Sequence, residues 1–136
     1  QGRLESKGTY INGSEEGPFS SYYENGNVQS QGSFINDMQE GAWKFFYSNG
    51  LPQMTGNFLE GRMSGEWTFY DDQGRLESKG TYINGLEDGQ FEFFFSTGEI
   101  EGKGPFKRGK RLGFWEQFDN QGNITVRTKY KFKESL

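Results

Sequence analysis

The feature that most constrains this chain is a period. Gly17, Gly41, Gly65, Gly89 and Gly113 recur at intervals of 24 residues without a slip. The phrase QGRLESKGTYING occurs twice, at Gln1–Gly13 and Gln73–Gly85, three periods apart. Self-similarity at a fixed spacing means one supersecondary unit copied and stacked, so the expected fold is an array of repeats rather than a globule around one centre.

Other columns keep the same beat. Two residues after each anchoring glycine stand Phe19, Trp43, Trp67, Phe91 and Trp115, and five residues after it Tyr22, Phe46, Tyr70, Phe94 and Phe118. A glycine column follows at Gly26, Gly50, Gly74, Gly98 and Gly122. Another holds Gly8, Gly32, Gly56, Gly80 and Gly104 but ends in Thr128, and it is followed by the rings Tyr10, Phe34, Phe58, Tyr82, Phe106 and Tyr130. A last glycine column, at Gly13, Gly61, Gly85 and Gly109, is broken by Asp37 and Lys133.

The reading is one domain over residues 1–136: a partial repeat 1–16, full repeats 17–40, 41–64, 65–88 and 89–112, and a C-terminal unit 113–136. That last unit loses glycines and gains charge, as expected of a terminal copy that caps a stack with a polar surface. The mid-repeat start predicts further repeats, or another domain, upstream of Gln1.

Each repeat reads as a β-hairpin. In Gly65–Asp88, GEWTFYDDQGRLESKGTYINGLED, two short aromatic or aliphatic runs are punctuated at DDQG and NG. Asn, Asp and Gly tolerate the positive φ of two-residue hairpin turns, and Asn-Gly at Asn12-Gly13, Asn25-Gly26, Asn49-Gly50 and Asn84-Gly85 is a strong hairpin signal. The glycine content makes helix costly. A turn centred on Gln73-Gly74 places Trp67 opposite Gly80 and Gly65 opposite Tyr82. Glycine facing a large ring lets that ring lie over bare backbone, which accounts for the glycine columns. Alternation then puts Gly65, Trp67, Phe69, Leu76, Gly80 and Tyr82 on one mainly aromatic face, and Glu66, Thr68, Glu77 and Lys79 on the other, with Tyr70 and Ile83. A lone hairpin is marginal, so the units are expected to pair edge to edge. The fold class is all-β: an elongated single-layer antiparallel meander, twisted and open.

Composition supports order and narrows function. Low hydrophobicity (31% AVILMFWYC) would favour disorder, yet the chain holds 14 Phe, 7 Tyr and 3 Trp, so its core is built from rings. No Cys and no His removes disulfides, thiolate metal sites and the commonest general base. A net charge of −4 disfavours nucleic acid.

The pattern Gly-x-Trp-x-x-Tyr/Phe, a Gly turn and an aliphatic, then Gly-x-Tyr/Phe-x-Asn-Gly, resembles the MORN repeat, in particular the bacterial variant labelled an antitoxin component. GEWTFYDDQGRLESKGTYINGLEDG is a full match and GAWKFFYSNGLPQMTGNFLEGRMSG nearly so. Pro52 in the aliphatic column and the missing glycines at Asp37, Thr128 and Lys133 predict irregular geometry at those turns. The resemblance implies a single-layer twisted sheet, no catalytic residues, and a scaffold that binds proteins, sometimes with contacts to anionic lipid.

Candidate chemistry is sparse. GPFKRGKR, Gly104–Arg111, is one letter short of a phosphate-binding loop, but its glycines belong to repeat columns and a strand follows. The acid pairs Glu15-Glu16, Asp71-Asp72 and Glu87-Asp88 read as soluble residues of hairpin turns. Asn12-Gly-Ser14 and Asn123-Ile-Thr125 match the glycosylation pattern by chance. Two surfaces remain. The aromatic face offers Trp43, Phe45, Trp67, Phe69, Phe91, Phe93 and Trp115, with Phe45, Phe69 and Phe93 expected to be the exposed members. A basic patch gathers Lys103, Lys107, Arg108, Lys110 and Arg111.

The expected function is a non-enzymatic scaffold for protein–protein interaction, docking a protein partner on the aromatic face or the edge strands, as a subunit of a larger bacterial assembly. Alternatives are a peripheral membrane module reading anionic headgroups and, by the family's label, an antitoxin for a protein toxin. No cofactor, metal, nucleic acid or small-molecule substrate is expected. A cell-envelope or secreted location is favoured over the cytoplasm.

Overall fold

The computed structural model describes residues 5–132. Gly2 and Leu4, which stand 24 residues before Gly26 and Val28 in the same columns, and Lys133 lie outside the described residues. The strands are β1 (Ser6–Lys7), β2 (Tyr10–Ile11), β3 (Ser14–Glu15), β4 (Gly17–Tyr22), β5 (Val28–Ile35), β6 (Met38–Phe46) and β7 (Pro52–Leu59), then β8 (Arg62–Tyr70), β9 (Leu76–Ile83), β10 (Leu86–Phe94), β11 (Ile100–Lys107), β12 (Lys110–Arg111), β13 (Gly113–Phe118) and β14 (Ile124–Tyr130). They form one open antiparallel sheet in the order β1-β4-β5-β6-β7-β8-β9-β10-β11-β13-β14, with β12 on β11 and a small β2–β3 pair. The described residues contain no helix.

Two kinds of turn alternate along the chain. At Asn12-Gly13, Asn36-Asp37, Glu60-Gly61, Asn84-Gly85 and Arg108-Gly109 both residues have positive φ. This is the type I′ turn, whose twist matches that of paired strands. Asp37, at φ 68°, keeps this geometry without glycine, so the irregularity expected there does not occur. The other turns are one residue longer than expected. In Asp71–Arg75 the Asp71 N–H donates to the Arg75 carbonyl (2.8 Å) and the Gly74 N–H to the Asp71 carbonyl (3.1 Å). Only Gly74 takes positive φ, 87°. Asn25-Gly26 and Asn49-Gly50 follow the same pattern, with positive φ at the glycine alone, so these Asn-Gly pairs do not form two-residue turns.

Register follows from those turns. Gly65 pairs with Tyr82, Trp67 with Gly80 and Phe69 with Ser78, as the sequence predicts, and then the ladder slips so that Tyr70 meets Leu76. A second irregularity accompanies each interior anchoring glycine: between Gln31 and Ser33 against β6, and between Thr55 and Asn57 against β8. Gly65 takes φ 73° there, and nothing lies within 4 Å of where its Cβ would be. Its column is therefore glycine because a bulge needs left-handed backbone, and not because a ring covers it.

Gly80 is different, and the covering ring is not the one expected. It pairs with Trp67 in β8, but a methyl group on Gly80 would meet the ring of Phe91 in β10 at 2.3 Å. Likewise Trp43 lies over Gly32, Trp67 over Gly56 and Trp115 over Gly104, at 2.1 to 2.2 Å from a notional Cβ. Each ring thus leans back across the strand before it. The indoles are held there by hydrogen bonds, Trp67 Nε1 donating to the Asn57 carbonyl and Trp43 Nε1 to the Ser33 carbonyl, both 3.0 Å. This makes a core inside a single layer. Trp43, Trp67, Phe91 and Trp115 are 2%, 0%, 4% and 7% exposed, sandwiched between glycine backbone and neighbouring rings. Burying roughly 200 Å² of ring at about 25 cal/mol/Å² stabilises by at most about 5 kcal/mol per ring.

Candidate functional site

Above the buried rings runs a crest. Phe45, Phe69 and Phe93 are half-buried, each two residues beyond a buried ring on the same side of its strand. Phe45 stacks on Trp43 at 5.8 Å between centroids and reaches Trp67 of the next repeat at 6.4 Å. Phe93 repeats this with Phe91 (6.5 Å) and Trp115 (6.1 Å). The spaces between are filled edge-on: Phe58 meets Trp67 at 5.1 Å and 82°, and Phe106 meets Trp115 at 5.0 Å and 85°. These offset and T-shaped contacts are the arrangements the ring quadrupole favours. The structure therefore brings all seven sequence-selected face residues into one continuous ridge. It also adds Phe19, whose signal was the column shared with Trp43 and Trp67, and Phe34, Phe58, Tyr82 and Phe106, whose signal was the ring column that follows Gly32, Gly56, Gly80 and Gly104.

The ridge has an acidic margin. Tyr10 pairs with Glu15 across β2–β3, and Tyr82 with Glu87 across β9–β10. The Glu15 carboxylate beside Tyr10 raises that phenol above its ordinary pKa, while burial, helped by Glu87, raises Tyr82.

The opposite face is polar and cross-strand paired. Thr68, Lys79, Glu92, Lys103, Glu116 and Arg127 form one transverse row through successive pairings. Lys79 lies 3.8 Å from Glu92 and Arg127 3.7 Å from Glu116. One margin of this face carries exposed aliphatics, Ile35 with Met38, Leu59, and Ile83 with Leu86, at the type I′ turns.

The five basic residues are divided between the faces. Lys103 stands in the polar row, 5.7 Å from the Phe118 ring. Lys107 pairs with Asp88 at 3.7 Å, and the Arg108 N–H donates to the same carboxylate at 3.3 Å. Lys110 is exposed. Arg111 lies on the aromatic side, its guanidinium 4.6 Å from the Trp115 ring and Nη1 donating to the Tyr130 hydroxyl at 3.3 Å. Lys107, Arg108, Lys110 and Arg111, with Lys131 and Phe132, line a hollow of about 310 Å³. Residues 103–132 hold eight Lys or Arg against two Asp or Glu, a charge of +6 in a chain of −4.

Three members of the acid pairs, Glu16, Asp71 and Asp88, accept backbone N–H groups, and the pairs do not all lie in turns. Glu15 is in β3, and Glu87 and Asp88 are in β10. Glu16 accepts from the Asn36 N–H and Glu40 from the Glu60 N–H (3.0 Å), so each docks the type I′ turn of the following hairpin. Asp71 closes its own turn, accepting from the Gln73 and Arg75 N–H groups at 2.9 Å. Those donors, Arg75 first, hold its carboxyl below the usual range. No three His, Cys, Asp or Glu among the described residues are placed to hold a metal ion. Gly104–Arg111 is strand and type I′ turn with no helix after it, and so lacks the helix N-terminus of a phosphate loop.

Comparison with known proteins agrees with this repeat. The model of the MORN repeat variant matches residues 15–36, 39–59, 63–84 and 87–108. No curated protein matches the chain. Among solved structures, a chain of the Glycosylation Associate Protein (Gap123) complex from Streptococcus agalactiae is similar over 86% of this chain at 16% identity, with a TM-score of 0.41. This chain spans 19% of that one.

Proposed function

Since this chain belongs to the MORN repeat variant family, a non-enzymatic repeat family, we propose that it is an interaction scaffold whose aromatic face docks a protein partner. The observation that carries this reading is the ridge. Rings run without a break from Phe19 to Trp115, the crest residues Phe45, Phe69 and Phe93 remain half-open to solvent, and among the described residues no second layer covers them. Contiguous apolar surface of this kind is rare on a protein that binds nothing. Aromatic side chains contribute most where partners exclude water.

The test uses photo-crosslinking at neighbouring positions on opposite faces. With p-benzoylphenylalanine at position 69 or at position 68, partner crosslinks should form from 69 and not from 68. Equal yields from both sites, or none from 69, would reject the face.

A second reading is supported by the charge at the C-terminal end. The hollow bordered by Lys107, Arg108, Lys110 and Arg111 suits an anionic group, such as a lipid headgroup. Replacing Lys103, Lys107, Arg108, Lys110 and Arg111 by Ser should abolish salt-sensitive association with anionic vesicles, and unchanged sedimentation with the vesicles would remove this reading.

A further inference from the structure

Asparagine is among the thermolabile residues, and this chain has four Asn-Gly pairs, of which two share the same local structure. Asn12-Gly13 and Asn84-Gly85 each close the phrase QGRLESKGTYING. Both form type I′ turns, with φ of 52° at the asparagine and 84° at the glycine. What differs is how each turn is held. The Gly85 N–H donates to the Met63 carbonyl in β8 at 3.0 Å. Among the described residues the Gly13 N–H has no acceptor and the Asn12 side chain no partner. The strands differ likewise. β9 and β10 lie inside the long sheet, each paired on both sides, whereas β2 and β3 form a sheet of their own with only the Tyr10–Glu15 and Ile11–Ser14 pairs. The other two Asn-Gly pairs are held at both groups. Asn25 Nδ2 donates to the Ser48 carbonyl and Asn49 Nδ2 to the Asp72 carbonyl, both 2.8 Å. The Gly26 and Gly50 N–H groups donate to the Tyr23 (2.9 Å) and Tyr47 (3.0 Å) carbonyls.

We propose that Asn12 is a site of spontaneous covalent modification, at which the folded chain converts Asn12-Gly13 to isoaspartyl-glycine while Asn84-Gly85 persists. The site is independent of the docking face. Its chemistry needs only the chain and water. The Gly13 nitrogen loses its proton and attacks the side-chain carbonyl carbon of Asn12, so that a new C–N bond forms and the amide nitrogen leaves as ammonia. Water then opens the resulting succinimide ring, giving aspartate or, where the chain is rerouted through the side-chain carbon, isoaspartate. Glycine favours this attack because no Cβ crowds the closing ring. An N–H held by an acceptor resists losing its proton, and a hydrogen-bonded side-chain amide cannot turn onto the nitrogen. The reaction therefore waits on local opening, whose cost is set by the pairing that must be given up. Opening at Asn84 gives up the Met63 bond and disturbs strands paired on both sides. Opening at Asn12 gives up neither. Isoaspartate inserts one extra carbon into the main chain, which a two-residue type I′ turn does not accommodate. The Tyr10–Glu15 and Ile11–Ser14 pairs are lost with it.

The test incubates the full chain at neutral pH and follows all four Asn-Gly pairs over time by peptide mapping with fragment-ion sequencing. Isoaspartate is scored separately, by methyl transfer from S-adenosylmethionine with a protein isoaspartate methyltransferase. The synthetic peptides GTYINGSEE and GTYINGLED, residues 8–16 and 80–88, give the rates of the two open sequences. The peptides should react at similar rates, and so should both sites when the chain is unfolded in urea. In the folded chain Asn12 should react at least tenfold faster than Asn84, Asn25 or Asn49. Leu86→Ser extends the sequence identity of the two turns by one residue and should leave Asn84 slow. Asn12→Gln should remove most of the methyl acceptance of aged protein. Equal rates at Asn12 and Asn84 in the folded chain, a faster rate at Asn25 or Asn49, or a fast Asn84 in Leu86→Ser would overturn the proposal. An Asn12 that stays intact while its peptide reacts would overturn it as well.

Discussion

Gly56 and Gly102 show that a glycine in a strand has no single meaning. At Gly56 the indole of Trp67 occupies the space of a side chain, 2.1 Å from a notional Cβ, while at Gly102 the nearest atom, the Glu116 carbonyl oxygen, is 3.4 Å away. Gly56→Ala should therefore lift the indole off its strand, strain its bond to the Asn57 carbonyl, and destabilise by about 3 kcal/mol. Gly102→Ala should be neutral or slightly stabilising, since alanine replaces the most flexible residue without a clash. Urea denaturation of the two variants distinguishes them, and equal losses would mean that the ring stack is not what requires glycine at Gly56. Thr128 belongs to the same column, in the last strand of the sheet, and no described ring leans across it.

Turns are the elements in which the repeats differ most, and their acids make stability depend on pH. Asp119 accepts from the Gln121 and Asn123 N–H groups, both at 2.9 Å, and these bonds, Asn123 first, lower its pKa. A carboxyl lowered in the folded state contributes stability that is present above its unfolded value of about 3.9 and lost as pH falls through the folded one. Asp119→Asn keeps an oxygen acceptor, as Asn25 and Asn49 do in their own turns, but cannot titrate. Thermal melts of wild type and variant should therefore converge as pH drops below about 4, where wild type loses the ionised acceptor. Parallel pH profiles would show that the turn carboxylate contributes nothing.

The whole molecule is quasi-one-dimensional: pairing is between sequence neighbours, and each ring leans on the preceding strand. Stability in such arrays is a sum of unit and nearest-neighbour terms, greatest where both neighbours are present. Amide exchange should thus be slowest in the strands carrying Trp43, Trp67 and Phe91 and fastest in β2 and β14, whose residues are mostly exposed. Uniform protection along the ribbon would mean that it opens as one cooperative block.

The sequence alone determined the repeat, its hairpin content, and the side of the sheet that is aromatic, because period 24 and alternation at period 2 act locally. The pairing of Trp67 with Gly80 was legible for the same reason: a turn sets the register of its own hairpin. Contacts between hairpins were not legible. Which ring covers Gly80 depends on the lean of a side chain from the following repeat, and the left-handed backbone at Gly65 depends on a bulge against the preceding one. Among the basic residues, chain order places Lys103 and Arg111 eight positions apart, yet alternation along β11 and the type I′ turn at Arg108-Gly109 leave them on opposite faces. A hollow beside Trp115 is a further case, since it forms only where Gly102 of one strand and Gln117 of the next are brought into register.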